Sequence, residues 1–482
     1  KVEDLTFSYP SSYDNIFEHV SFAIDSDWKL GFIGRNGRGK TTFLNLLTGK
    51  YQYRGKIISS VKFDYFPYPV EDETRQTADI LAEICPDAQK WQFLREFSAL
   101  DVREDVLYRP FGTLSYGEKT KALLAALFLN EGHFLLIDEP TNHLDSAARE
   151  RLAKYLNGKK SFILVSHDRY FLDGCVDHIL SLNRANIEVQ SGNFTTFMQN
   201  FERQQAFEQS RNDKLETDIK RLKETARRTA RWADIVEASK IGAGDKGYVG
   251  HKSAKMMKRA KVTEARQQKE IEQKSALLKN REVDSPLKLA PLAYHAGRLA
   301  YFSGVAPVYN GREVCAPVTF EIMRGDRIAI DGKNGSGKSS LLKLLCGQNI
   351  GHLGEVRTGS QLIISCVPQD ASHISGSLRD LAAERGIDES VFKTTLHKMG
   401  FNKDQFEKDM ADFSAGQKKK ALLAASLCER AHLYVWDEPL NYIDIYSRIQ
   451  LENLILQFAP TLIFVEHDRA FRENVATKII DI

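Results

Sequence analysis

The sequence predicts an α/β protein: two tandem copies of one parallel-sheet, P-loop domain, joined by a long α-helical hairpin. Repetition carries the first part. "GRNGRGKT" from Gly34 returns as "GKNGSGKS" from Gly332, and "LSYGEKTKALLAAL" from Leu114 returns as "FSAGQKKKALLAAS" from Phe413. "FLLIDEPTNHLD", which holds Asp138, returns as "LYVWDEPLNYID", which holds Asp437. "ILVSHDRYF", with His167, returns as "IFVEHDRAF", with His467. The offsets are 298, 299, 299 and 300 residues. Four motifs in one order at one spacing mean a duplicated domain. Composition carries the second part: residues 201–285 lack strand signals and are rich in Glu, Lys, Arg, Gln and Ala. A length of 482 residues suits two or three domains.

The elements follow in order. Each P-loop sits between a strand-like run ("KLGFIG", "RIAIDG") and a helix-like run ("TTFLNLLTG", "SSLLKLLCG"), the context that motif requires. "FLLID", "LYVWD", "SFILVS" and "TLIFVE" read as short strands buried on both faces of a mostly parallel sheet. The predicted domains are residues 1–200, 201–285 and 286–482. The middle one reads as two helices in a hairpin, with a tip at about 240–252. A helix of about 35 residues spans roughly 50 Å. Pro286 and Pro291 punctuate the return to the second copy.

Hydrophobic content of 42% and charged content of 27% fit a globular protein. The net charge of +3 conceals a gradient. Arg203 to Glu282 carries 21 Lys and Arg against 12 Asp and Glu, a local +9 that leaves −6 elsewhere. The six cysteines form no CxxC pair and read as buried thiols in a reducing, cytoplasmic setting. No apolar run approaches the roughly 18–20 residues of a membrane span, and no signal peptide is visible. The chain starts at Lys1 rather than Met, so the native ends are expected to lie beyond it.

The chemistry predicted is MgATP binding and hydrolysis. Backbone N–H groups of Gly34, Asn36, Gly37, Gly39, Lys40, Thr41 and Thr42 can wrap phosphate at a helix start, as can those of Gly332, Asn334, Gly335, Gly337, Lys338, Ser339 and Ser340. Lys40 and Lys338 would reach the β- and γ-phosphates. Thr41 with Asp138, and Ser339 with Asp437 and Gln369, are the candidate Mg²⁺ groups. Glu139 and Glu438 follow the metal carboxylates and can polarise water. His167 and His467 end the next strand, within reach of a γ-phosphate. One P-loop match alone can be fortuitous, and a lone histidine is more often an ordinary surface residue. Duplication and order decide for the functional reading.

"LSYGE" and "FSAGQ" resemble the signature motif of ATP-binding cassette proteins. The resemblance implies that two cassettes sandwich two ATPs head to tail within a monomer. Lys40 would then share an ATP with Ser414, Gly416 and Gln417, and Lys338 with Ser115, Gly117 and Glu118. Tyr9 and Tyr309 resemble the adenine-stacking aromatic, although either could be a core residue. Tyr68 stands where the second copy has Gln369, Tyr116 replaces a signature glycine, and Tyr442 replaces a histidine. Two competent but unequal sites are expected.

A cassette pair fused through a charged hairpin resembles the ABC-F family. "RPFGTLSYGEKTK", "LIDEPTNHLD", "RLKETAR", "MMKRAK", "DGKNGSGKSS" and "WDEPLNYIDI" are similar to its antibiotic-resistance branch, nearest the Lsa type. That resemblance implies entry into the ribosomal exit site of the 70S ribosome, near 23S rRNA and the P-site tRNA. It also implies protection against lincosamides, streptogramin A and pleuromutilins. The basic tip supplies the RNA-contacting candidates: Lys240, Lys246, Tyr248, His251, Lys252, Lys255, Lys258, Arg259 and Lys261. Charge alone would make the segment a solvated linker. Spacings of 46 residues from Tyr68 to Leu114 and 44 from Gln369 to Phe413 leave no room for the inserted arm of several housekeeping members. A housekeeping translation factor, a DNA-associated ATPase and a transporter subunit are the alternatives.

Overall fold

The computed structural model describes residues 1–10, 15–142, 144–182, 187–238, 287–401 and 405–482. The first copy runs β1 (Val2–Phe7), β2 (Phe17–Phe22), β3 (Lys29–Gly34), α1 (Lys40–Leu47), β4 (Arg54–Ile57), β5 (Lys62–Phe66), α2 (Thr77–Ile84), α3 (Lys90–Leu100), α4 (Tyr116–Leu127), β6 (His133–Asp138), α5 (Ser146–Asn157), β7 (Phe162–Val165), α6 (Arg169–Cys175), β8 (His178–Leu182) and β9 (Ile187–Ser191). After α7 (Phe194–Ala238) the second copy runs β10 (Arg298–Tyr309), β11 (Arg312–Glu313), β12 (Val318–Met323), β13 (Arg327–Asp331), α8 (Lys338–Leu345), β14 (His352–Thr358), β15 (Ile364–Val367), α9 (Leu378–Glu384), α10 (Glu389–Lys398), α11 (Ala415–Cys428), β16 (Leu433–Asp437), α12 (Ile445–Phe458), β17 (Leu462–Val465), α13 (Arg469–Val475) and β18 (Lys478–Asp481).

Both copies place the P-loop strand inside a parallel sheet. The first sheet has the order β5-β6-β7-β3-β8-β9, with only β9 antiparallel. The second is β15-β16-β17-β13-β18, parallel throughout. Leu30, Phe32, Leu136, Ile163 and Val165 are buried in the first core, and Ile328, Ile330, Val435, Ile463 and Val465 in a second-copy core. Such strands bury both faces, which is why they read as unbroken apolar runs. Each copy also carries a small antiparallel sheet, β2-β1-β4 and β11-β10-β12 with β14 on β10. Parallel strands with a helix between them leave their C-terminal ends free for ligand loops. Here those ends carry the P-loops and Asp138, Asp437, His167 and His467.

Chain contacts divide the molecule into two units, Lys1–Phe197 with Ser285–Ile482, and Met198–Asp284. Both copies thus share one compact body. Helix α7 is longer than the sequence suggested, 45 residues, or about 68 Å. It begins inside the first domain, where Phe194 and Phe197 are buried. The expected return helix and tip, with Lys240, Lys246, Tyr248, His251, Lys252, Lys255, Lys258, Arg259 and Lys261, lie outside the described residues.

The cysteines correct one expectation. Cys85 and Cys175 are buried thiols and Cys315 and Cys428 are half-buried ones, but Cys346 and Cys366 pair as a disulfide. One ends the P-loop helix and the other lies on β15, so packing brings them together at a separation of 20 residues. No spacing motif could flag that pair.

Candidate functional site

The two P-loops close alike. Gly39 and Gly337 precede their helices in left-handed conformations, with φ of 101° and 92°, which glycine adopts without strain. A side chain at Gly39 would also strike Ile16, 2.5 Å from an ideal Cβ. Lys40 Nζ donates to the carbonyls of Gly34 (2.7 Å) and Arg35 (3.3 Å) and to Asn36 Oδ1 (3.3 Å). Lys338 Nζ donates to the carbonyls of Gly332 and Lys333, both at 2.8 Å. Burial lowers the pKa of both lysines, with nearby carboxylates opposing it. The predicted aromatics adjoin these helices: Tyr9 Oη lies 2.8 Å from Thr42 Oγ1, and Tyr309 Oη 3.1 Å from Ser340 Oγ. Tyr9 also packs edge-on against Phe7 and Tyr51, so it is at once a core ring and a P-loop neighbour.

The carboxylates differ between copies. In the first, Asp138 Oδ2 accepts from Thr41 Oγ1 (2.8 Å) and from Tyr65 Oη (3.0 Å). Burial, with Asp138 beside it, pushes Glu139 up to about 7, partly opposed by Arg448, Lys40 and Arg149. Its Oε1 is buried without a hydrogen-bond partner, 3.4 Å from His167 Nε2. His167 Nε2 instead meets Asn36 Oδ1 at 3.0 Å. Burial, then Lys40, holds that imidazole well below its ordinary pKa, so it stays neutral.

In the second copy Gln369 bridges the parts. Its Oε1 accepts from Ser339 Oγ (3.4 Å) and its Nε2 donates to Glu438 Oε1 (2.9 Å). Asn441 Nδ2 donates to Glu438 Oε2 at 2.7 Å, and His467 Nε2 lies 3.7 Å from Oε1. Burial opposes ionisation of Glu438, but His467, Asn441 and Gln369 together bring it down to about 2. Burial raises Asp437 to about 6 against a hydrogen bond from Ser339. Both glutamates hold left-handed backbones, with φ of 50° and 48°, a strained choice for a non-glycine residue.

The signature helices are capped by their own signature residues. Ser115 and Glu118 bond reciprocally at the start of α4, and Ser414 and Gln417 at the start of α11. The first P-loop touches the second copy: Asn36 Nδ2 donates to the Tyr442 carbonyl at 2.6 Å. Tyr442 packs on its own signature, since a Cβ on Gly416 would come within 2.9 Å of Tyr442 Cβ. In the other direction, Lys338 feels the charge of Asp145 in the first copy. The Arg169 guanidinium pairs with Glu452 across the copies, and Tyr170 Oη donates to Glu473 at 2.7 Å.

These groups suit a polyphosphate with a divalent cation. Asp437 Oδ1 and Ser336 Oγ are buried and lack a protein partner, and each helix start offers N–H groups beside a lysine. No cluster of three His, Cys, Asp or Glu donors occurs among the described residues. A hydroxyl–carboxylate pair of the Thr41–Asp138 kind suits Mg²⁺, which keeps waters and nucleotide oxygens as its other ligands.

The ABC transporter family profile matches residues 17–142 and 315–441. This chain belongs to the ABC transporter family. It is an ATPase built from two ATP-binding cassettes in one chain. Among the described residues no helix is long and apolar enough to cross a membrane. The chain is 29% identical to the ribosome protection protein VmlR of Bacillus subtilis (strain 168), over 97% of its own length and 84% of that protein. It is 24% identical to the energy-dependent translational throttle protein EttA of Haemophilus influenzae, over 97% and 89%. These relatives fit the ABC-F resemblance of its motifs. An archaeal ribosome recycling factor aABCE1, solved with the stalk protein aP1, shares the fold: TM-score 0.64 at 19% identity, over 99% of this chain and 87% of that one.

Three site residues escaped sequence reasoning. Tyr65 reaches Asp138 from one strand position inward of Phe66. Arg448 of the second cassette acts on Glu139 of the first. Lys419, in a run of three lysines, is 2% exposed. Its signal was the repeat itself, because the matching position is Thr120.

Proposed function

We propose that this ATPase is a nucleotide-switched ribosome factor. In the ATP-bound, closed state it enters the exit site and protects the peptidyl-transferase centre from lincosamides, streptogramin A or pleuromutilins. Hydrolysis opens the cassettes and releases it. The observation that carries this is the near full-length similarity to a ribosome protection protein, joined to cassettes already paired within one chain. In this reading Lys40 and Lys338 hold phosphates, and Thr41 with Asp138, and Ser339 with Asp437 and Gln369, hold Mg²⁺, which supplies charge neutralisation. Glu139 and Glu438 orient and deprotonate water. His167 and His467 face the γ-phosphate, and Tyr9 and Tyr309 flank the adenine. Ser414 and Gly416 close the first site, and Ser115 and Gly117 the second. Domains 1–200, 201–285 and 286–482 keep their assigned roles, with the basic hairpin contacting rRNA and tRNA phosphates.

The test has two arms. Glu139→Gln with Glu438→Gln should co-sediment with 70S ribosomes in ATP, and absence from the pellet would sink the switch. Expression in a susceptible strain should raise the inhibitory concentration of at least one of the three drug classes. Similarity to the translational throttle protein supports a second reading, a translation factor without a drug role. Ribosome binding with unchanged inhibitory concentrations would select it.

A further inference from the structure

Helix α11 carries Lys418, Lys419 and Lys420 behind its signature cap. Lys418 reaches the Ser372 carbonyl (3.1 Å) and Lys420 the Met399 carbonyl (3.2 Å). Lys419 is different. Its ammonium donates to the carbonyls of Pro368 (2.6 Å), Asp437 (2.6 Å) and Gln369 (3.3 Å). An ammonium has three hydrogens, and three carbonyls receive them. Burying a cation is costly unless its hydrogens are all bonded, so this site satisfies the charge while joining three pieces of chain. Those pieces are the signature helix, the loop holding Gln369, and the strand end holding Asp437. In the first cassette the same place is Thr120, buried and uncharged. A threonine hydroxyl, one bond from Cβ, is too short to span such carbonyls.

We propose that Lys419 is a positioning residue of the second ATP site. Its ammonium fixes the backbone of Gln369 and of Asp437 against the helix that begins with Ser414 and Gly416. It touches no nucleotide itself. By this bond the carboxamide that meets Ser339 and Glu438 is held in register with the metal carboxylate. Among the described residues the first cassette shows no equivalent brace, which matches its lack of a glutamine at Tyr68. The proposal rests on the site roles given above.

The experiment uses the full chain with Lys40→Ala, so that a fluorescent ATP analogue reports the second site alone. In that background Mg²⁺ should tighten binding. Adding Lys419→Met should cut this Mg²⁺ gain about tenfold, the usual cost of losing a group behind a metal ligand, with Mg²⁺-free affinity within about twofold. In the chain with Lys40 intact, Lys419→Met should lower kcat about tenfold with KM within about twofold. An unchanged Mg²⁺ gain overturns the proposal. So does an equal loss with and without Mg²⁺, which is what a packing defect gives. Should Lys419→Met melt early, Lys419→Thr, carrying the first cassette's residue, gives the same readouts. A Lys40→Ala parent with no Mg²⁺ gain sinks the metal-site reading itself, and Lys419 with it.

Discussion

The two ATP sites share their P-loops, signature helices, strand-end carboxylates and histidines yet differ in how those carboxylates are held. Glu438 is gripped by Asn441 and Gln369, with His467 close by, and is ionised far below neutral pH. Glu139 is buried beside Asp138 with an unsatisfied oxygen, and titrates at about 7. Asp138 is met by the Tyr65 hydroxyl, whereas Gln369 binds both Ser339 and Glu438 in the other copy. The lesson is that a shared motif fixes where a carboxylate stands, and its neighbours decide its charge and aim. On the proposed roles, the second site is preassembled for water activation, and the first becomes competent only when Glu139 ionises.

The largest expected effect breaks the comparison most directly. Glu438→Gln should lower steady-state ATP turnover by about 10²–10⁴, and Glu139→Gln by much less. Equal losses would make the sites equivalent. Next comes the pairing between cassettes. Arg169 is largely buried against the buried Glu452, but the repeat offset sets Glu452 opposite Ala153, and Arg469, the counterpart of Arg169, pairs instead with nearby Glu473 at an exposed position. Glu452→Ala takes the ion-pair partner from a largely buried guanidinium, with Asp468 still near it, and should cost up to about 3 kcal/mol in chemical unfolding. Arg469→Ala should cost under about 1 kcal/mol. Similar losses would erase that asymmetry.

The smallest effect is a difference in pH dependence, which sharpens the comparison. A base works in its ionised form. In the first site the proposed base is Glu139, protonated below about 7. In a Glu438→Gln background, residual turnover should rise about tenfold between about pH 6 and 8, as Glu139 goes from about a tenth to about nine-tenths ionised. In a Glu139→Gln background the profile should change by about twofold or less there, because Glu438, at about 2, stays charged throughout and only Asp437, at about 6, titrates at the lower end. Superimposable profiles would remove the electrostatic distinction.

Much of this was legible in the residues. The fold followed from repeated P-loops and unbroken apolar strands, because backbone phosphate cradles and buried parallel strands demand local residue patterns. The site residues near the P-loops, Thr41, Asp138, Gln369 and Glu438, were legible for the same reason. Tyr68 stands where the second copy has Gln369, but the hydroxyl that reaches Asp138 belongs to Tyr65, a matter of strand register. Lys419 was hidden because its acceptors are carbonyls 18 to 51 residues away. Asn36 meeting Tyr442 spans 406 residues, a contact that no local pattern encodes. Helix α7 ran further than expected because its first turn is anchored by Phe194 and Phe197 rather than ended by a breaker.

The left-handed backbone at Glu139 and Glu438 has a wider consequence. Each such residue costs on the order of 1–3 kcal/mol, and in this chain the burden falls on both candidate bases. Selection for heat tolerance would find easy gains by relaxing those two kinks, and each gain would blunt the motor. Ruggedness and turnover are therefore rivals at the same two peptide units.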